Sequence, residues 1–205
     1  MKAKKGIFCL EGQWYGDLRD KTSVFPLLEL MERYSSSPFH YHRCATPEEF
    51  EYSLSRWKTK TFHNKYPILY LAFHGEIGVL HVGKKQYSLD DLAGILGDSC
   101  KGVVIHFGSC ETVNIDERLI KKFLVNTGAI AAFGYKKEVD WMMSAAFEIL
   151  LLEALQFDKF DGIGIKKIKS KIISEYGNLH KLLDFRIILN DKTHFPRKRA
   201  KKSDS

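Results

Sequence analysis

Short apolar runs alternate along this chain with amphipathic stretches of helical length. The runs rich in branched and aromatic residues lie at 6–12, 39–45, 67–75, 102–110, 129–135 and 186–190. Between several of them, apolar residues recur at the spacing of one helix face, as in 23–36, 116–128 and 140–157. This alternation predicts an α/β fold, with a mostly parallel central sheet of about six strands and helices on both faces.

Local signals set several boundaries of these elements. Thr46 followed by proline favours a helix start, because threonine caps the first turn and proline fits its first position. Residues 78–89 read as a hairpin in which Gly-Lys-Lys separates two alternating runs. A short capped helix is predicted at 88–98, a helix end at Gly128, and a last helical region at 165–183.

The chain length and charge distribution favour one domain with a separate tail. With 205 residues, 44% of them hydrophobic, the sequence can bury one substantial core, and we assign residues 1–195 to it. Of the formal net charge of +7, the three lysines among the first five residues give +3 and the tail at 196–205 gives +4, so 6–195 carry no net charge. The polar, basic tail is typical of disorder. Nucleic-acid binding is therefore expected at most through the tail.

The cysteine pattern and the hydrophobic stretches favour a cytoplasmic protein. None of the four cysteines belongs to a C-x-x-C pair, and the first residues lack a cleavable signal pattern. The most apolar helical stretch, 145–157, contains two glutamates and is too short to cross a bilayer, so no membrane span is expected. Metal binding is not expected either, because His40 and His42 have no third ligand at useful spacing.

Two apolar strands end in reactive side chains. The run 67–75, apolar on both faces and so predicted to be central, ends in His74 and Gly75, and the run 102–110 ends in Cys110. If these strands are parallel neighbours, they present an imidazole and a thiol at one edge of the sheet, where α/β proteins bind ligands. A lone cysteine at a strand end is usually buried core, but the ordered pair of motifs favours a catalytic role.

The order of these motifs resembles the CHAT family of proteases. An apolar strand closed by His-Gly and, after a hairpin and a helix, an apolar strand closed by Ser-Cys-Glu-Thr are similar to that family, which shares the caspase-like clan (clan CD) with caspases and separase. The likeness covers about residues 66–156, whereas 1–65 contribute no motif, and Phe107-Gly108 is less typical of the family. The resemblance implies a compact, stand-alone caspase-like three-layer sandwich.

The resemblance also implies a mechanism that needs no cofactor. Cys110 would attack the scissile carbonyl of a protein or peptide substrate and form a thioester, while His74 acts as the acid–base group. By family analogy the backbone N–H groups of Gly75 and Cys110 would stabilise the oxyanion. A turn leading from Cys110 toward the next helix would favour the thiolate. We interpret the glycine at 75 as making room for the approaching peptide.

Acidic residues follow several predicted strands, where caspase-like enzymes build the pocket for the residue before the cleaved bond. We take as candidate substrate-binding residues Glu11, Asp17, Glu76, Glu138 and Asp140. Their carboxylates predict cleavage after arginine or lysine, although Lys136 and Lys137 argue against an acidic pocket. Asp140 has a second interpretation as a helix N-cap, and Trp14 is a candidate for either a pocket wall or the core.

Three alternatives to the peptidase differ in how well the residues match them. A class I amidotransferase or related hydrolase has glycine two residues after its nucleophile and a later histidine, but here Thr112 holds that place and His74 comes first. A nucleotide-binding module is disfavoured because 162–167 match no phosphate-binding pattern. The more serious alternative is a catalytically silent caspase-like scaffold that binds a partner protein. The resemblance further suggests bacterial (antiviral) defence or cell-death signalling, with a separate activating protein, processing or substrate supply as the control.

Overall fold

The computed structural model describes residues 4–17 and 19–191. Within these ranges the strands are β1 (Ile7–Glu11), β2 (Phe39–Arg43), β3 (Ile68–Ala72), β4 (His74–Glu76), β5 (Val79–Val82), β6 (Lys85–Ser88), β7 (Val104–Phe107), β8 (Ala131–Tyr135) and β9 (Phe185–Leu189). The helices in the same ranges are α1 (Phe25–Ser35), α2 (Pro47–Trp57), α3 (Lys60–Lys65), α4 (Leu89–Leu96), α5 (Glu117–Thr127), α6 (Trp141–Leu155) and α7 (Gly164–Leu182). The predicted domain end at 195 and the tail at 196–205 lie outside the described residues.

Six strands form the central sheet, in the order β2-β1-β3-β7-β8-β9. The first five are parallel, and β9 runs antiparallel to β8 at one edge. Between them, the parallel strands are joined by helical connections, as parallel pairing requires. The predicted α/β architecture, with about six mostly parallel strands, is confirmed.

Each face of the sheet carries its own hydrophobic core. Successive side chains of a strand point to opposite faces, so Leu69 and Leu71 of β3 enter one core while Ile68 and Tyr70 enter the other. Helices α2, α4 and α5 cover the first face, and α1, α6 and α7 cover the second. All five residues of β3 are buried, as expected for a strand covered on both sides. This arrangement confirms the predicted helices on both faces.

Capping residues end or begin the helices where the sequence indicates. The Thr46 hydroxyl accepts the Glu49 N–H at 3.3 Å in a capping box at the start of α2. The Ser88 hydroxyl caps α4 in the same way. Gly128 follows α5 in the left-handed region, with φ of 76°, and donates its N–H to the Leu124 carbonyl at 2.9 Å.

Two local features differ from the sequence prediction. Helix α3 was not predicted, because its six residues are too few to show helical periodicity. The run 67–75 is not one strand: β3 ends at Ala72, and His74 begins β4, which pairs with β5 in a separate antiparallel sheet of order β4-β5-β6. The hairpin predicted at 78–89 forms the rest of that small sheet. The apolar run of β3 continues through Phe73 up to His74, so the sequence pattern does not reveal the change of partner.

Within the described part of the chain, no helix combines the length and the hydrophobicity that crossing a bilayer requires.

Trp57 tests the core on the α2 side of the sheet. Its side chain is fully buried, contacts the Phe8 ring, and donates its indole N–H to the Tyr66 carbonyl at 3.0 Å. We expect Trp57→Ala to lower the free energy of unfolding by about 3–5 kcal/mol, since it leaves a large cavity and an unpaired carbonyl. Urea denaturation would measure this loss. Tyr52→Ala, at an exposed position of the same helix, should change it by less than about 0.5 kcal/mol; similar losses in both variants would contradict the packing described.

Candidate active site

A cavity of about 610 Å³ opens beyond the carboxyl ends of β3 and β7. These strands are parallel neighbours, with Leu71 paired to Phe107. The chain leaves β3 into His74 and leaves β7 into Cys110, and both residues line the cavity together with Gly75. The structure therefore brings the three residues of the two motifs to one site, while their chemical roles stay predictions.

A tight turn holds Cys110 in this position. The Thr112 N–H donates to the Cys110 carbonyl at 2.7 Å, and Glu111 adopts a left-handed backbone conformation with φ of 56°. A non-glycine residue in this region carries strain, which is common where a turn aims a functional side chain. The Thr112 hydroxyl contacts the Ser109 hydroxyl at 2.7 Å and the Val79 carbonyl of β5 at 3.1 Å. Threonine at this position thus ties the Cys110 turn to the small sheet that carries His74.

The next helix is not directly behind Cys110. Helix α5 begins at Glu117, after the N-cap residue Asp116. Six residues, 111–116, therefore separate Cys110 from the helix. Among the described residues, no acceptor takes the Cys110 N–H, which leaves this donor free to bind an oxyanion.

Gly75 packs against the Cys110 turn. A Cβ at position 75 would overlap the Thr112 hydroxyl and the Cys110 carbonyl, and would lie 2.9 Å from the Ser109 Cβ. The close approach of two backbone segments therefore requires glycine here. This differs from the sequence interpretation, in which glycine makes room for a substrate peptide.

The imidazole of His74 is oriented by the loop after β1. Its Nε2–H donates to the Trp14 carbonyl at 2.5 Å. A carbonyl can only accept, so this bond assigns the proton of the neutral ring to Nε2 and leaves Nδ1 with a free lone pair. The Trp14 ring meets the His74 ring edge-on at 5.2 Å and the Trp141 ring at 4.8 Å. His74 is thus held between backbone and aromatic contacts while remaining exposed to the cavity.

Glu11, the last residue of β1, holds the loop that carries Trp14. Its carboxylate is buried and accepts four hydrogen bonds, from the indole N–H of Trp14 at 2.6 Å, the Val24 N–H at 2.8 Å, the Tyr41 hydroxyl at 2.6 Å and the Ser23 hydroxyl at 2.5 Å. All of its acceptor positions are therefore used. Glu11 does not line the cavity, and its position suits support of Trp14 better than contact with a substrate.

The other predicted acidic residues are scattered. Asp17 pairs with Arg19 at 2.9 Å, Glu76 lies 3.5 Å from His81, and Asp140 caps α6 by accepting the Met143 N–H at 2.9 Å. None of these three lines the cavity, whereas the exposed Glu138 does. The second interpretation of Asp140, as an N-cap, describes its contacts in the structure. Trp14 does form part of the cavity wall.

Sequence reasoning missed a buried carboxylate in the cavity, that of Glu148 on α6. It is 4% exposed and lines the cavity beside Cys110. The hydroxyls of Tyr70 and Tyr135 donate to it, the latter at 3.2 Å, and His106 Nε2 lies 3.1 Å away. A glutamate between the apolar residues Phe147 and Ile149 was the available signal, because such a charge is rarely buried without a specific reason.

The surroundings of Cys110 favour its neutral thiol. Burial raises the pKa of Cys110, the Val139 N–H opposes this with a hydrogen bond to the sulfur, and the carboxylates of Glu138, Glu111 and Glu148 raise the pKa further. Among the described residues no hydrogen bond joins Cys110 to His74, although both line the cavity. With its pKa raised, the Cys110 thiol is expected to remain protonated at neutral pH.

No group of three or more histidine, cysteine or acidic side chains suited to a metal occurs among residues 4–17 and 19–191. The ring of His40, considered above as a ligand, stacks on Phe8 at 5.0 Å.

Comparisons with known proteins give a family and a distant structural likeness. A model described as "Family of unknown function (DUF6642)" matches residues 4–189. The crystal structure of Caspase-1 from Spodoptera frugiperda is similar with a TM-score of 0.47 and 13% identity, over 77% of this chain and 72% of that chain. No curated protein matches the sequence.

Glu138→Gln tests the electrostatic control of Cys110. Removing this negative charge should lower the pKa of the thiol and raise the thiolate fraction at neutral pH, so alkylation by iodoacetamide should be faster than in the unmodified protein. Mass spectrometry of Cys110 between about pH 6 and 9 would give the rates. Glu32→Gln, an exposed change on α1, should leave them unaltered. A rate for Glu138→Gln that is equal or slower would refute this account.

Proposed function

We propose that this chain, which belongs to the DUF6642 family, is a cysteine endopeptidase of the caspase-like clan that cleaves proteins after a basic residue. One observation carries the proposal: His74 and Cys110 leave neighbouring parallel strands and line the same cavity. The likeness of the two motifs to the CHAT family supports the same chemistry. The fold alone does not argue for it, because one fold hosts many functions.

The reaction follows from the positions of the side chains. Cys110 Sγ attacks the carbonyl carbon of the scissile amide, and its proton passes to Nδ1 of His74. The negative charge that develops on the carbonyl oxygen is stabilised by the backbone N–H of Cys110, with that of Gly75 as the second donor. The C–N bond then breaks as His74 returns the proton to the leaving nitrogen, and a thioester remains on Cys110.

Water completes the cycle. His74 takes a proton from a water molecule, whose oxygen attacks the thioester carbonyl, and the second intermediate releases the carboxylic acid product. Cys110 leaves as a thiolate and recovers the proton from His74. The Trp14 carbonyl holds Nε2 in both halves of the cycle, so that Nδ1 remains the nitrogen that exchanges protons.

The shape of the site supports an endopeptidase. A second cavity of about 660 Å³ shares Trp14, Tyr15 and His74 with the first and extends toward Pro47 and Gly83. His74 lines both cavities, and we propose that together they hold a polypeptide on either side of it. A polypeptide could therefore cross the site and be cut at an internal bond.

The biological setting belongs to the proposal as well. The resemblance to CHAT proteases suggests a role in bacterial antiviral defence or cell-death signalling, under control of a separate activating protein. The four cysteines are free, which agrees with a reducing cytoplasm.

A peptide acyloxymethyl ketone with arginine next to its reactive group provides the direct test. We expect it to modify Cys110 of the wild-type protein, and His74→Ala to slow this by about 10²–10⁴-fold through loss of the acid–base group. Intact-mass and peptide mass spectrometry would follow the labelling. His63→Ala, a histidine of α3 outside this cavity, serves as the matched control and should label normally.

New protein termini would identify a natural substrate. Proteins encoded by neighbouring genes would be incubated with the wild type and with Cys110→Ala, and their termini sequenced. Cleavage that persists in Cys110→Ala would contradict the role of Cys110 as the nucleophile. Failure of every peptide electrophile to label the folded wild type would favour the silent scaffold.

Gly75→Ala tests the close contact between the two motifs. The added methyl group must push the Cys110 turn away, and displacements of about 1 Å in a catalytic site can cost ~10²-fold in rate. We expect a comparable loss in the labelling rate with the arginine probe. Gly94→Ala on α4 is the control, because its added methyl meets no atom within 4 Å; equal labelling by the two variants would contradict the prediction.

A further inference from the structure

Glu148 is the most deeply placed charge in the cavity of Cys110. It lines this cavity although only 4% of the residue is exposed, whereas Glu138 lies exposed at the rim. Gly108 also lines the cavity, and a side chain at this position would overlap the Tyr70 ring. The cavity thus leads from the nucleophile to a buried carboxylate.

The Glu148 carboxylate has hydrogen-bond partners but no lysine or arginine partner among the described residues. Tyr70, Tyr135 and His106 contact it. Burial, with a further contribution from the charge of Glu148, raises the pKa of both tyrosines well above the usual range, so both are neutral donors. A buried carboxylate without a permanent cation is costly, and a cationic ligand would offset that cost.

One acceptor position remains open. Within residues 4–17 and 19–191, Oε1 receives Tyr135 and faces His106, whereas Oε2 receives only the Tyr70 hydroxyl. A carboxylate has about four acceptor positions, so Oε2 can take one more donor. The two phenolic oxygens next to it can each accept a hydrogen bond in addition to the one they donate. This group of oxygens suits an ammonium or guanidinium group.

The path to these oxygens suits a long side chain. Val139, Trp141 and Ala145 contribute apolar surface to the cavity that Glu148 lines. The aliphatic stem of lysine or arginine packs well on such walls while its charged end reaches a carboxylate. A short or acidic side chain would leave the carboxylate unpaired or repel it.

We propose that Glu148 is the specificity-determining residue of this site, and that it binds the positively charged side chain of the residue that precedes the cleaved bond. That the ligand is a substrate side chain rests on the proposed function. Glu148 is not one of the five carboxylates that the sequence suggested for basic specificity. Arginine and lysine share the required chemistry, and the experiment has an arm for each.

Binding to the full-length Cys110→Ala protein tests the inference without turnover. Isothermal titration would compare tetrapeptides that end in arginine, in lysine and in citrulline, the neutral analogue of arginine. We expect at least one basic peptide to bind ~10-fold or more tightly than the citrulline peptide, as for a hydrogen bond to a charged group. Equal affinities for the three peptides would overturn the inference. This comparison needs no substitution at Glu148, so a folding defect cannot explain its result.

Glu148→Gln in the same background should reduce this preference for a basic end to less than about twofold, because the amide keeps the shape and loses the charge. Glu153→Gln is the matched control, since it removes a charge from an exposed position of the same helix, and it should retain the preference. Thermal unfolding would establish that both variants are folded. A preference that survives in folded Glu148→Gln would assign the specificity to another group.

Labelling of the wild type separates the two proposals. If electrophilic peptides with leucine or aspartate before the reactive group label Cys110 as fast as the arginine and lysine forms, the peptidase stands and the role of Glu148 falls. If no probe labels Cys110 but the basic peptide binds and Glu148→Gln weakens it, the binding site stands and the peptidase falls. Slower labelling of Glu148→Gln by the basic probe, with iodoacetamide alkylation at least as fast as in the wild type, supports both.

Discussion

The parallel pairing of β3 with β7 at the middle of the central sheet determines the position of everything else in this molecule. β1 and β2 extend the sheet on one side, β8 and β9 extend it on the other, and the helices cover its two faces. Because parallel strands end at a common edge, His74 and Cys110 leave the sheet next to each other. The small sheet then folds back so that Gly75 lies against the Cys110 turn, and Thr112 bonds the turn to β5.

Two buried carboxylates near this edge of the sheet have different surroundings. Glu11 accepts four hydrogen bonds and holds the loop whose carbonyl orients His74. Glu148 has fewer donors and faces the cavity. A fully satisfied carboxylate stabilises a local structure, whereas one with an open acceptor position can also bind a ligand. The number of donors around each group, and not the charge itself, distinguishes the supporting carboxylate from the one exposed to the cavity.

Much of the fold could be predicted from local patterns, because these patterns report on burial and on turns. Short runs rich in branched and aromatic residues identified the six strands of the central sheet, and Thr46 and Gly128 marked helix ends through their hydrogen bonds to the helix backbone. Helix α3 and the division of residues 67–75 between two sheets were missed. Six residues show no reliable period, and a short apolar run does not indicate whether its end pairs in the central or the small sheet.

The sequence by itself determined the fold class, the order of the elements and the two motifs that meet at the cavity, since each depends on residues close together in the chain. The tertiary structure alone decided which carboxylate belongs to the cavity, why position 75 requires glycine, and which carbonyl orients His74. These properties depend on Glu148 meeting Tyr70, Gly75 meeting Thr112, and His74 meeting Trp14. Such contacts join distant segments, and their geometry exists only once the sheet and its two layers of helices have packed.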